Sequence, residues 1–441
     1  PVHREIYEVA GKIIRAGKAA TPITVKTYLP DQLVADVTMP QYLARLAAEA
    51  TTVLNAADYG QTIYDLAIRR TLIQIGEETV ATAYDADVEM TAAKQIEEAE
   101  KSLFDLAEKG RYDGGFQAFN EALVEAIKMA GEAYQRDGTL SGQATGLTDL
   151  DRLMGGLQKS DLIILAARPA MGKSSLATNI AFHVARSFRY ETTPDGHKKT
   201  IDGGQVALFS LEMSAEQLAT RILAEQAEIS SSDIRRGNIH ESQFARLVDV
   251  SNMLATVPLY IDDTGGLSIS QLAARARRLK RQKGLDLIII DYVQLLSGSS
   301  RKASENRVQE LTEITTTLKA LAKELEVPIV GLAQLSRAVE QRDDKHPQLA
   351  DLRDSGSIEQ DADVVLFIYR EEYYLKNKEP KEGTPEHLTW QGEMEKVHGR
   401  AEVIIGKQRH GPTGTVQLSF EAQFTRFGNL ARDSYLPERF E

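Results

Sequence analysis

The chain has no cysteine, which removes disulfides, thiolate metal sites and thiol nucleophiles together, and which is compatible with a reducing compartment. It has one tryptophan, and aromatic residues make up only 6% of its 441 positions. No aromatic cluster offers the row of stacking faces that base-stacking single-strand binders use. No stretch approaches the ~20 apolar residues needed to span a bilayer, and no signal-peptide pattern opens the sequence. Positive charge is also short: 52 Lys plus Arg stand against 64 Asp plus Glu, a formal −12. That balance speaks against a protein that coats nucleic acid with a basic exterior. The deficit is uneven, with −8 in residues 1–140 and −4 in residues 141–441. Internal repeats and low-complexity tracts are absent.

The length predicts two or three domains. The sequence opens at Pro1 without an initiator methionine and reads as a trimmed product. Residues 1–110 predict a helical domain: Ile96, Ala99, Leu103 and Leu106 recur at three- and four-residue spacing, and Gly110 supplies a stop. A second helix is predicted over 116–136, with Phe116, Phe119, Leu123, Ile127, Ala130 and Tyr134 along one face and Asp137-Gly138 at its end. Its opposite face is polar, so the apolar one must dock on something. From 141 to 441, β-rich runs occur at 161–167, 205–211, 285–291, 327–333, 363–369, 401–407 and 415–420. Helical stretches separate the first five, which predicts an α/β domain with a largely parallel sheet covered on both faces. The last two runs read as an added hairpin around Gly411, Pro412 and Gly414. Polar inserts at 191–204 and 377–399 read as surface loops, the second holding Trp390 as a surface or loop-packing residue.

The first run leads into Ala167-Arg168-Pro169-Ala170-Met171-Gly172-Lys173-Ser174, and Ser175 follows in a helix. This is a Walker A loop with Ala167 in place of its first glycine. Successive backbone N–H groups and a helix N-terminus cradle phosphate oxygens. Lys173 would reach the β and γ phosphates, and the Ser174 hydroxyl would ligate Mg²⁺. The apolar run ending at Asp291 fits a strand buried on both faces, and puts a metal-ordering carboxylate at its C-terminal end; a capping aspartate would look the same. Tyr292 follows where an acid could stand, so the group that polarises the attacking water comes from elsewhere. Glu212, closing the strand 206–211 just before a helix, is placed for that, although the same position suits an acid favoured by the helix dipole. Gln334 closes the strand 329–333 where an amide could sense the γ-phosphate. Arg275, Arg277, Arg278, Lys280, Arg281 and Lys283 form the densest basic patch. It reads as a solvated helix face ahead of a DNA contact.

The segments Arg168–Ser174, Ser210-Leu211-Glu212-Met213-Ser214, Ile290-Asp291-Tyr292-Val293-Gln294-Leu295 and Ala333-Gln334-Leu335-Ser336-Arg337 together resemble the bacterial replicative DNA helicases of the DnaB family. The resemblance continues from Asp351 through Asp363 and from Ile405 through Pro412, and reaches back to Val2-His3-Arg4-Glu5-Ile6-Tyr7. It implies an α/β RecA-like P-loop ATPase motor domain with an all-α N-terminal collar domain, here lacking its first part, and a linker helix that packs on the adjacent motor. It further implies a homohexamer that encircles single-stranded DNA and moves 5′ to 3′ on ATP and Mg²⁺. The implied partners are DnaG-type primase, a helicase loader and other replisome proteins, in the cytoplasm at the replication fork. Lys407 and Arg409, otherwise solvated strand-end cations, become a lysine and an arginine finger on the neighbour's γ-phosphate. Arg353-Asp354-Ser355-Gly356 becomes the channel loop that holds DNA phosphates, largely through main-chain N–H groups. Asp354 stands where Glu is common and His410 where Asn is more usual, while Ala167 is normal for the family. Two other readings stay open. One is a recombinase-like or clock-type RecA ATPase that assembles without unwinding. The other is a ring scaffold that binds ATP only to recruit primase or a loader. The N-terminal helical part weighs against the first, and intact Glu212, Asp291 and Arg409 weigh against the second.

Overall fold

The computed structural model describes residues 2–30, 33–34, 37–48, 56–85, 91–108, 140–192, 198–298 and 307–430, with six further positions between 119 and 131. The chain divides into two units, Pro1–Asp113 and Gly114–Glu441. None of the described helices is long and apolar enough to cross a membrane.

The first unit is helical: Val2–Arg15, Pro22–Lys26, Met39–Ala48, Ala56–Tyr84 and Ala92–Glu108, with a two-residue ladder between β1 (Leu33–Val34) and β2 (Val37–Thr38). The Thr21 hydroxyl accepts from the Thr24 N–H and Pro22 opens the second helix, an N-terminal signature that fixes where that helix starts. Ile13, Val25, Leu29, Met39 and Leu43 form a small core. The stripe expected on Ala92–Glu108 is divided: Leu106 is buried, Ala99 half-buried, and Ile96 and Leu103 are exposed. Gly110 lies outside the described residues.

The second unit is built on β3 (Leu162–Ala167), β4 (Arg189–Thr192), β5 (Lys198–Asp202), β6 (Val206–Ser210), β7 (Leu259–Asp262), β8 (Leu287–Asp291), β9 (Ile329–Gln334), β10 (Val364–Tyr369), β11 (Arg400–Gln408), β12 (Gly414–Glu421) and β13 (Arg426–Asn429). Nine of these form one sheet in the order β13-β12-β11-β10-β3-β9-β8-β6-β7. The strands from β10 to β7 in that order are parallel; β11, β12 and β13 are added antiparallel. Successive side chains of a strand point to opposite faces. Thus Ile163, Leu165 and Ala167 pack in the layer of the helix Lys173–Arg186, while Leu162, Ile164 and Ala166 pack with the helices Ile269–Gln282 and Arg307–Leu325. Burial on both faces is why β3 reads as an unbroken apolar run.

Four elements depart from the sequence expectation. The insert at 191–204 is part of a hairpin, β4 with β5, and not a loop. The insert at 377–399 contains the helix Pro385–Val397, begun by Thr384, whose hydroxyl accepts from the His387 N–H. Trp390 sits on that helix, donates from Nε1 to the Leu375 carbonyl (2.8 Å) and stacks on His387. β7 and β13 are four-residue strands at the two rims of the sheet, too short to show a period. In the basic patch Arg275, Arg278, Arg281 and Lys283 are exposed, in keeping with a solvated helix face, and Arg275 pairs with Asp262 (2.6 Å), Arg277 with Glu324 (2.7 Å) and Lys280 with the Leu325 carbonyl.

Candidate functional site

Parallel strands deliver their C-terminal ends to one edge of a sheet, and that edge is where ligands bind in open α/β folds. Here β3, β6, β8 and β9 bring the Walker A loop, Glu212, Asp291 and Gln334 to the same edge. In the loop Ala170 and Gly172 have φ of 66° and 98°, in the left-handed region, so the chain curls and helix Lys173–Arg186 starts without a side-chain cap. Its first-turn N–H groups are therefore available to phosphate oxygens. A Cβ on residue 172 would sit 2.8 Å from Phe427 Cζ, so glycine is required on steric grounds as well as conformational ones. Met171 is buried and anchors the loop tip.

Lys173 Nζ lies 3.9 Å from Asp291 Oδ1 and 4.5 Å above the Tyr292 ring. Burial lowers its pKa, and Asp291 and Glu212 pull the other way. Asp291 is 4% exposed, and among the described residues its Oδ1 has no hydrogen-bond partner. A buried carboxylate oxygen left this way, with the hydroxyl-bearing Ser174 beside Lys173 on the helix, is a hard-oxygen donor set that fits Mg²⁺. Glu212 occupies the turn after β6: the Ser210 hydroxyl donates to the Met213 carbonyl (2.6 Å), and Leu211 N donates to the Asp291 carbonyl (2.8 Å). The Gln334 main chain is clasped by Gln294, which accepts from its N–H (3.4 Å) and donates to its carbonyl (3.3 Å).

Other expected residues are placed differently. The Arg168 side chain turns away from the loop and donates to Glu340 (2.9 Å) and to the Leu335 carbonyl (2.8 Å), leaving only its backbone for phosphate. Pro169 and Ser175 stay within the loop and helix start, with Ser175 buried. Arg353-Asp354-Ser355-Gly356 is not an open loop: the 3-10 helix Leu349–Ser355 runs directly into the helix Gly356–Asp361. Of the linker, residues Phe119, Asn120, Leu123, Val124, Ile127 and Gly131 are helical and exposed; Phe116, Ala130, Tyr134, Asp137 and Gly138 lie outside the described residues.

Lys407 and Arg409 stand at the other edge. β11 runs antiparallel to β10, so Lys407 pairs with Val365 and Gln408 with Val364, at the start of β10 and beside the start of β3. β3 has six residues, about 20 Å at ~3.3 Å per residue, and Lys173 lies beyond its far end. Neither cation can serve the loop of its own chain.

Two functional candidates escaped the sequence. Arg221, on the helix Ala215–Ala227, is desolvated enough to lower its pKa, while Asp291 and Glu212 oppose the shift. Its charge is felt by the site's two acids, and the only sequence signal is a lone arginine two turns after Glu212. Arg370 lies over the Phe420 ring (3.9 Å) and reaches the Ala170 carbonyl (3.4 Å), bracing the loop from β10.

Asn179, on the helix that Lys173 opens, ties the site to its surroundings by donating to Glu225 (2.7 Å) and accepting from Phe427 N (2.8 Å). Burial raises Glu225 to about 7. The folded value thus exceeds the 4.5 of an unperturbed glutamate, so ionisation opposes folding. Stability is complete below pH 4.5 and is lost as pH rises through 7. Glu225→Gln keeps the acceptor for Asn179 and carries no charge. It is expected to recover up to about 3 kcal/mol at pH 8, read as a Tm several degrees above the parent that converges with it near pH 5; equal Tm values at pH 8 would refute the assignment.

The family model for the DnaB-like helicase C terminal domain matches residues 142–429, and that for the DnaB-like helicase N terminal domain matches residues 1–65. The Rickettsia typhi protein named replicative DNA helicase DnaB is 46% identical over 436 residues, covering 99% of this chain and 86% of that one. Its Geobacillus stearothermophilus namesake is 37% identical over 431 residues, 98% and 87% of the two chains. Among solved structures, a DnaB-like replicative helicase studied for its interactions with primase superposes with a TM-score of 0.64 at 29% identity, over 96% of this chain and 91% of that one. The ATPase domain of G40P gives 0.60 at 32% identity, over 72% and 100%.

Proposed function

The chain belongs to the DnaB-like replicative DNA helicases, an ATP-hydrolysing family, and from that premise we propose a six-membered ring that moves 5′ to 3′ on single-stranded DNA, with each nucleotide site shared by two neighbours. The observation that carries this reading is the separation of the two half-sites across one sheet. Lys173, Asp291, Glu212 and Gln334 gather at the end of the parallel strands, and Lys407 and Arg409 at their start.

On one side of the boundary, the loop's N–H groups and Lys173 bind the ATP phosphates, Ser174 and Asp291 hold Mg²⁺, and Gln334 senses the γ-phosphate. When bound, the ion offsets charge on the β and γ oxygens. Glu212 takes the proton of the attacking water, with Arg221 balancing the acids around it. On the other side, Lys407 and Arg409 of the neighbour meet the charge that develops on the transferring phosphoryl group. The 353–356 segment faces DNA, and with no aromatic cluster in the sequence to stack bases the binding is independent of sequence. Residues 1–110 form the collar that dimerises and engages primase, 111–140 the linker, and 141–441 the motor. Exposed Phe119, Leu123 and Ile127 on the linker, and Ile63, Leu66 and Ile73 on Ala56–Tyr84, support contacts with other subunits. A loader and other replisome proteins complete the set of partners, and the place of work is the cytoplasm, at the fork.

Forks bearing only a 5′ or only a 3′ tail test the whole reading. Displacement from the 5′-tailed fork alone, by an assembly with the mass of six protomers, is the expected result. Displacement that depends on a 3′ tail, or DNA-stimulated ATP turnover without displacement, would overturn it in favour of another RecA-like machine.

A further inference from the structure

In this subunit the two finger cations are held by one small cluster at the start of β10. Lys407 Nζ donates to the carbonyls of Glu359 (2.6 Å) and Ala362 (2.8 Å). Arg409 Nη2 donates to the Gln360 carbonyl (2.9 Å), its Nη1 lies 3.4 Å from Asp363 Oδ1, and its backbone N–H donates to the Asp363 carbonyl (3.0 Å). Asp363 is 3% exposed. Its second oxygen accepts from the Leu162 N–H (2.8 Å) and from Lys319 Nζ. Lys319 also donates to the Ser160 carbonyl (2.7 Å) and lies 3.9 Å from Asp161.

The Asp363 carboxylate is therefore divided. One oxygen is fixed by the backbone of β3 and a buried ammonium, and the other is presented to Arg409. An anion pinned by two donors cannot follow a mobile side chain, so it decides where that side chain sits. Arg409 keeps 44% of its side chain exposed, which leaves part of the guanidinium free to act outward while the Asp363 end stays anchored.

We propose that Asp363, backed by Lys319, is the positioning residue of the arginine finger: it orients Arg409 for the neighbour's nucleotide and has no part in its own chain's phosphate site. The proposal rests on the trans-finger reading above. Misplacing a catalytic group by about 1 Å costs about 100-fold in rate, and Asp363→Asn should lower kcat by that order with nucleotide affinity unchanged. Asp363→Glu, which keeps the charge, should retain more activity than Asp363→Asn.

The decisive test is complementation in mixed rings, read by single-turnover hydrolysis so that one competent boundary suffices. Asp363→Asn subunits mixed with Lys173→Ala subunits should regain hydrolysis, because a boundary can pair an intact loop with an intact finger. Mixed with Arg409→Ala subunits they should not, because both lesions lie on the finger side. Lys319→Met, which removes the ammonium that pins the far oxygen of Asp363, should fall in the same group with a smaller loss, and serves as well if Asp363→Asn does not fold. Rescue by Arg409→Ala, or parental kcat in both Asp363→Asn and Lys319→Met, would overturn the proposal. Failure of Lys173→Ala and Arg409→Ala subunits to rescue each other would instead sink the trans reading on which it rests.

Discussion

Lys173→Ala rings should hydrolyse ATP at least about a thousandfold more slowly than the parent, at every nucleotide concentration. The Lys173 ammonium is mostly buried, held 3.9 Å from Asp291 and 4.5 Å above the Tyr292 ring. Desolvation makes it worth far more to an incoming phosphate than a surface lysine would be. Truncation removes the ammonium that lies 3.9 Å from Asp291 Oδ1, a buried oxygen with no hydrogen-bond partner among the described residues. Lys173→Arg should not restore turnover, because the wide planar guanidinium does not fit the mostly buried place of a compact ammonium 3.9 Å from Asp291 Oδ1. Quenched-flow hydrolysis with a melting curve for each variant checks this. Turnover within tenfold of the parent, in a variant with a normal melting curve, would remove Lys173 from the mechanism.

Arg409→Ala should cost about 10³- to 10⁵-fold in kcat, the range that arginine fingers supply in other phosphoryl-transfer enzymes, while nucleotide affinity stays near parental. The two effects separate because Arg409 sits by the start of β3 and the chain's own loop lies past its end. Loss of nucleotide affinity in an isolated Arg409→Ala subunit would contradict that geometry. Mixing Arg409→Ala with Lys173→Ala subunits, each inactive alone, should restore hydrolysis at boundaries that join the intact Lys173 of one to the intact Arg409 of the other. Because Arg409 also contacts Asp363 and the Gln360 carbonyl, truncation leaves Asp363 held only by Leu162 and Lys319, and a small fall in Tm should accompany the kinetic loss.

Much of this was legible from residue order, for physical reasons. A phosphate loop needs glycine, lysine and a hydroxyl at fixed spacing behind a buried strand, and Gly172, Lys173 and Ser174 satisfy it locally. The strands that carry Asp291 and Gln334 are buried on both faces, so their apolar runs are continuous and their ends are marked by the first polar residue, while Glu212 follows two residues after Ser210 ends its strand. Rim strands leave no such trace: β7 has four half-buried residues and β13 contains Gly428. The helix Pro385–Val397 was hidden by its polar composition although Thr384-Pro385 announced it. Side-chain direction was the least accessible. Nothing in the Walker loop tells that Arg168 turns to Glu340, 172 residues away, and nothing near Arg221 tells that its charge is felt by Asp291 on another strand. The segment 353–356 was read as a loop only because the family resemblance implies one, yet buried Leu352 and Ile358 lie on either side of it and it is in helical turns.

On the trans reading proposed above, placing the loop and the finger at opposite ends of the same strands makes each protomer a polar object, with a socket on one face and a plug on the other. Contacts between such faces are heterologous, so protomers add head to tail and never as two-fold-related pairs through the motor. An open arc always ends in one unfilled socket and one idle plug, and so carries one complete catalytic centre fewer than it has protomers. Closing the arc supplies the missing centre without adding a single residue, which makes ring closure itself a gain of activity.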